Sequence, residues 1–441
     1  MIFADIKRNT RFYSRQQGGL HVAESDSSAL LTILVVLLPI LYQIVSPFPF
    51  LSLGELLLVP VVLVYLIKDF DKITLDWNLA LFYLIPIGLT FIAFFIPNNY
   101  FDMAAFGRIL ARITLYFLLI IICARSIDIR LFVKMYIVIA AIASGVLLLQ
   151  CFVHYCTNFE LPVMRSFCEY MYEYPGSESL SGEEYYQTFG FRPAAFFTEP
   201  SYFTFYMVPL VIMLLFINDR RSPFPVWIAK RRIVIALFLT FVSLLSTSSA
   251  SLLVLALTWV VYIASYIKRH KAKKGGLLII ASLICVSLVV AALVALGLFD
   301  VLIQRSIKGA SLEHRVFRGF IIYDTLDPIH QLFGVGLNNH AAYIEANGIV
   351  TAYDEETVRF SAIADISNRL ITSGAVGLVA MAGFVIAMFA SSKSEVEKVF
   401  VIVLAVNFCF NWWQYSFRFA FMMIIIYLVK KWMKREVRDS G

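Results

Sequence analysis

The residues best suited to chemistry in this 441-residue chain are arginines set among apolar segments. Arg108 and Arg112 are four apart and share a helix face, where like charges repel unless an anion or a carboxylate lies beside them. Arg192, Glu199, Arg418 and Glu55 each fall within about two turns of one end of an apolar run, so a common layer collects two cations and two carboxylates. Between these, Arg315, Arg318, His340 and Asp365 occupy a long polar connection. A guanidinium fork holds phosphate oxygens in pairs, whereas a carboxylate or neutral histidine removes a proton from a hydroxyl. Phosphate binding coupled to proton transfer is the chemistry this set can perform. The plainer reading is that arginines pair with carboxylates such as Glu55, Asp102 or Asp327, and this holds for some of them.

The elements that must carry these residues follow from composition. Apolar residues make up 60% of the chain and charged ones 15%, against roughly 45 to 50% and 25% in soluble domains. A soluble enzyme is excluded. Twelve apolar segments are long enough to span a bilayer or nearly so, near 28–45, 50–67, 79–96, 103–123, 131–152, 193–217, 233–248, 250–267, 277–299, 367–390, 398–411 and 415–429. The fold class expected is therefore an all-α polytopic membrane protein, one integral domain over 1–441. The net charge of +7 does not point to nucleic acid, because the basic residues sit mostly at helix ends.

Lys and Arg alternate between connections, crowding the N-terminal segment, every second loop and the C-terminal segment. This places both termini in the cytoplasm. The first apolar stretch has no small-x-small cleavage site after it, so it reads as an anchor. Two extracytoplasmic loops are long, 153–192 and 300–366. The first alternates aromatics with carboxylates from Met171 to Tyr186, fit either to stack on sugar faces or to form a lid. The second has helical periodicity over Val301 to Leu326, consistent with a helix along the membrane surface. Cys156 and Cys168 fall in the first loop and can pair in an oxidising compartment. No Cys/His spacing suits a metal and no glycine loop suits a cytoplasmic nucleotide, so no metal or other cofactor is expected.

The choice of cation differs by side. Cytoplasmic segments carry fourteen Lys and twelve Arg, and the remainder of the chain ten Arg and one Lys. Topology accounts for few cations outside but not for the preference for arginine, which a phosphate-bearing ligand explains. The turn Ser246 to Ser251 adds small hydroxyl residues at the start of a span, as an N-cap or as an anion site.

Arg192-Pro193-Ala194-Ala195-Phe196-Phe197-Thr198-Glu199-Pro200-Ser201 resembles the Arg-x3-Phe-x-Glu-Pro-Ser segment of bacterial O-antigen and exopolysaccharide polymerases, which share a superfamily with the O-antigen ligases. Ser311 to Arg315, followed by Gly334-Val335-Gly336, is similar to that family's outer-loop pattern, and Ser367-Asn368-Arg369-Leu370 to the entry of its next span. The resemblance covers roughly residues 190 to 380 by motif and the whole chain by hydropathy. It implies a C-type glycosyltransferase of about twelve transmembrane helices in the bacterial inner membrane. Such an enzyme joins polyprenyl-diphosphate-linked oligosaccharides at the periplasmic face. Donor and acceptor are both lipid-linked, and a chain-length regulator and a flippase are expected neighbours.

In that reading Arg192 and Arg315 hold the diphosphate, and Glu199, His340 or Asp365 takes the acceptor proton. Arg108, Arg112, Arg318, Asp365 and Arg418 contact substrate. With helical geometry, the seven-residue step from Arg192 puts Glu199 on nearly the same face two turns along. This sequence departs from the family at Ser367-Asn368, where the ligases carry His-Asn, and at Ser248-Ser249, where Ser-Arg is frequent. A ligase transferring glycan to a lipid A core shares the scaffold. A lipid-linked oligosaccharide flippase is the competing class, although no internal repeat of the kind many transporters carry is present.

Overall fold

In the computed structural model, residues 21–48, 51–69, 75–96, 100–159, 161, 191–217, 222–269, 311–349, 363–411 and 413–440 are described. They form helices and no strand. In chain order these are α1 (His21–Leu41), α2 (Leu53–Asp69), α3 (Trp77–Phe94), α4 (Met103–Ser126), α5 (Ile129–Thr157), α6 (Pro200–Phe216) and α7 (Val226–Leu245). They continue as α8 (Ser249–Arg269), α9 (Ser311–Thr325), α10 (Pro328–Phe333), α11 (His340–Ala346), α12 (Asp365–Ser391), α13 (Glu395–Phe410) and α14 (Phe417–Ser440). A helix occupies eleven of the twelve segments expected from hydropathy; the ninth, 277–299, lies outside the described residues.

Four helices, α3, α4, α5 and α12, are long and apolar enough to cross a membrane. Only 39 to 56% of their apolar windows is buried within the protein. Their other faces expose Phe91, Ile142, Leu149, Val379 and Ile386. A helix apolar on all sides yet covered on one is stable where its outward face meets lipid. Shorter apolar helices span 29–41, 200–216 and 253–268. α6 is different: Phe203 to Phe216 are all buried, and so are Phe419 to Ile426 of α14, so these two helices form the centre of the bundle. Tyr206 and Phe421 stack there at 5.8 Å.

One expectation needs correction. The sixth helix begins at Pro200 and not near 193, because Pro193 and Pro200 both disfavour helix in the residue before them. The second long connection is partly described: helix α9 covers 311–325 of the helix expected over 301–326. It packs on α12, and the 301–310 portion lies outside the described residues. Ile322 and Leu326 join Val335, Tyr343, Ile344, Ile363 and Ile371 in a small core separate from the main one. Gly319 makes the approach possible, since a Cβ there would stand 2.5 Å from Ser367 Oγ.

Helix α12 breaks at Gly374, whose φ is 63° and ψ −168°. The carbonyls of Ile371 and Thr372 accept instead from the amides of Val335 (2.9 Å) and Gly336 (3.1 Å). The Gly334-Val335-Gly336 turn thus plugs a gap in a membrane-spanning helix. Leu337 N donates to Thr90 Oγ1 on α3 at 2.9 Å, and Asn339 bridges Tyr100 O and Val335 O while accepting from Asp102 N. The connection between α9 and α12 is pinned to α12, α3 and the start of α4 at once.

Candidate active site

Residues 191–199 form an irregular segment fixed by two buried glutamines. Gln150 of α5 accepts from Ala195 N at 2.9 Å and donates to Ala195 O at 3.2 Å. Gln43, just past α1, accepts from Thr198 N at 2.5 Å. Ala195 has a φ of 55°, a left-handed conformation costly for a residue with a Cβ and maintained by the bonds on both its sides.

The step from Arg192 to Glu199 is consequently not two helical turns, and the shared helical face expected of them does not exist. Glu199 is the extended N-cap residue of α6, followed by Pro200 at N1. Its carboxylate makes no cap hydrogen bond and accepts from Ser201 Oγ at 3.1 Å. Arg192 is half-buried.

Beside the α6 start, Arg418 donates to Tyr202 Oη at 2.6 Å with its guanidinium 4.3 Å from that ring's centroid. Ser201, Tyr202, Asn407, Asn411, Trp413 and Arg418 line one narrow cleft of about 30 Å³, room for about one water. A chain of aromatic contacts continues from it. Tyr202 lies 6.0 Å from Phe417, Phe417 4.2 Å from Tyr42, and Arg112 5.9 Å from Tyr42. These contacts run from Arg418 to Arg112 and its partner Glu55, linking two of the four residues, Arg192, Glu199, Arg418 and Glu55, expected in one layer.

Arg112 Nε donates to the buried Glu55 at 2.8 Å, and Tyr116 Oη and Ser52 N donate to the same carboxylate. This is the plainer reading of that arginine. Arg108, half exposed, lies 4.0 Å from Asp102 and not opposite Arg112.

Asp365 begins α12, fully buried, and accepts from Trp413 N at 2.8 Å and Gln414 N at 3.1 Å. It thereby pins the α13–α14 turn that presents Trp413 and Arg418 to the cleft. Arg369, one turn on, is fully buried between Phe82 and Tyr415, donating to Phe82 O at 3.2 Å and to Tyr415 Oη.

A second group of candidates lies on the other side of the first turn of α12. Arg318 is 2% exposed, and Gly319 next to it abuts Ser367. Arg315 stands one turn earlier in α9, and its side chain lies outside the described residues. His340 opens α11, where burial, followed by the nearby positive charge of Arg318, pushes its pKa down to about 4. Its Nδ1 has no hydrogen-bond partner among the described residues. The imidazole is therefore neutral at ordinary pH and able to accept a proton. Asp327 is raised by its partial burial but more strongly lowered by hydrogen bonds from the His330 ring and amide, so this carboxylate pairs with a histidine and not an arginine.

The two groups meet through α12, with Ser367 touching α9 and Asp365 holding the α13–α14 turn. The Ser246 turn is built into the protein interior: Ser246 Oγ donates to Ser243 O at 2.7 Å and lies 3.1 Å from Thr204 Oγ1. The tyrosine-rich stretch 171–186 and Cys168 lie outside the described residues, and Cys156 is exposed. Gln43, Gln150 and Asn339 position the site without having stood out in sequence, whereas Arg369 lies in the Ser367-to-Leu370 segment that carries the resemblance and Tyr202 directly follows the Arg192-to-Ser201 segment.

No protein-family model matches this sequence, and no curated protein matches it either.

Proposed function

We propose that this protein is a glycosyltransferase of the bacterial inner membrane that joins polyprenyl-diphosphate-linked oligosaccharide repeat units, as in O-antigen or related polysaccharide polymerisation. It spans the membrane twelve times with both termini cytoplasmic and works at the periplasmic face in a C-type scaffold. The observation that carries the reading is the cleft at the start of α6. Around that narrow cleft the Arg418 guanidinium, stacked on Tyr202, converges with Trp413 and two carboxamides, and Glu199 joins them through Ser201. Arginine suits a diphosphate, aromatic faces suit sugar rings and carboxamides suit hydroxyls.

In the reaction, the acceptor sugar hydroxyl attacks the anomeric carbon of the donor. The bond from that carbon to the diphosphate oxygen breaks, and the electron pair leaves with the diphosphate. Arg192, Arg315 and Arg418 stabilise the charge that develops on the leaving group, with Arg318 behind them. Glu199 receives the hydroxyl proton, and neutral His340 is the second candidate for that role. Asp365 acts by positioning Arg418. Lipid-linked donor and acceptor are the substrates, and a chain-length regulator and a flippase are the neighbours this activity requires.

The test is chain elongation by Arg192→Lys, Arg315→Lys and Arg418→Lys proteins. Each keeps the charge and loses the fork, so elongation falls on the order of 10²-fold. Full elongation in any one of them removes that residue from the diphosphate.

A further inference from the structure

Farther along α14 from Arg418, a cavity of about 560 Å³ opens between α3, α4 and α14. Lys431 marks its position, thirteen residues and about 20 Å along the helix from Arg418. Its size falls within the range of small-molecule sites, roughly 300–1,000 Å³. The floor is apolar, including Leu79 and Ile122, while Asp76, Trp77, Arg125 and Lys431 supply charge and an aromatic rim.

Both signs of charge are held in place. Tyr427 Oη donates to Asp76 Oδ2 at 2.6 Å, and Lys431 Nζ donates to Ala124 O at 3.2 Å and Arg125 O at 2.5 Å. Tyr427, which holds the carboxylate, and Lys431 are four residues apart on one face of α14, about 6 Å along its backbone. Trp77, 66% exposed at the start of α3, occupies the position of an interfacial aromatic anchor.

An occupant that satisfies every wall must offer an anion to Lys431 and Arg125, a cation to Asp76 and the Trp77 face, and an apolar body to the floor. Free phosphate lacks the second and third. A glycerol-headed anionic lipid lacks the cation. We infer that this cavity binds the head group of a zwitterionic aminophospholipid, phosphatidylethanolamine. The phosphodiester sits on Lys431 and Arg125, and the primary ammonium, two carbons away, on Asp76. The inference rests on immersion in a bilayer and not on glycosyl transfer.

The test uses the purified full chain, stripped of lipid in detergent, with phosphatidylethanolamine or phosphatidylglycerol added back. Lipid retained is read by native mass spectrometry and stabilisation by thermal unfolding. The expected wild-type result is at least a tenfold preference for phosphatidylethanolamine. Asp76→Asn preserves the helix cap, because asparagine caps as well as aspartate, and abolishes the preference while phosphatidylglycerol binding holds or rises. Lys431→Gln weakens both lipids; Arg125→Gln tests the same half of the site should Lys431→Gln fail to fold. Equal retention of the two lipids by the wild type, an unchanged preference in Asp76→Asn, or full binding in the cation variants overturns the assignment.

Discussion

Glu199 sits where the backbone must be extended before a proline and where a helix amide end would ordinarily be capped, yet its carboxylate turns to Ser201 instead. That choice leaves it beside the cleft carrying Arg418 and Tyr202. If Glu199 is the base, Glu199→Gln keeps shape and hydrogen bonding but cannot take a proton, so turnover at saturating donor falls on the order of 10²–10⁴-fold with donor affinity little changed. Near-normal turnover with weakened donor binding makes it a positioning residue for the arginines, and then His340 carries the proton.

His340 has its own signature. Its folded pKa is about 4, below the ordinary histidine value, so between those values the unfolded chain binds the extra proton. Stability contributed by the neutral imidazole is complete above about pH 6.5 and declines as pH falls toward 4. His340→Gln flattens that window in a thermal unfolding series, and an unaltered slope refutes the assigned burial. Neither role was fully legible in sequence. The Arg192-to-Glu199 spacing suggested a helix, and the prolines at 193 and 200, present in the same ten residues, override that periodicity.

At the scale of elements, hydropathy located eleven of the helices but not all of their ends, because about twenty apolar residues dictate a bilayer-length helix whatever their order while caps and prolines set where it starts and stops. It could not locate breaks inside a span. Gly374 reads as one more small residue in an apolar run, but it holds a φ of 63° and its added Cβ would lie 2.2 Å from Leu332 O. Gly374→Ala therefore combines left-handed backbone strain of about 1–2 kcal/mol with a backbone clash. A wild-type melting temperature in Gly374→Ala would show that the plug by Val335 and Gly336 is dispensable. The glutamines at 43 and 150 were illegible for a related reason. A polar residue at a span end is usually solvated, and only the fold reveals that these two grip Ala195 and Thr198.

For the whole molecule, the proposed topology, read from the charge pattern, puts α9–α11 on one side of the membrane and the α6–α7 connection on the other. In a protein with Cys156→Ser and Cys168→Ser, a cysteine at exposed Asn347 reacts with an impermeant maleimide from outside intact spheroplasts, and one at Ser222 does not. Labelling at Ser222 reverses the topology. That orientation matters because the arginine bias, the α6 cleft and the loop pinned into α12 all belong to one side. A machine carrying lipid-linked sugars across the membrane would distribute its charged contacts along the path.

Reconstitution separates these activities most directly. The purified protein in liposomes, given lipid-linked repeat units accessible at its outer face, should convert single repeats into a ladder of longer lipid-linked glycans, with release of the polyprenyl diphosphate. Unextended repeats that merely change leaflet, or whole glycans appearing only on an added lipid A core, would contradict it.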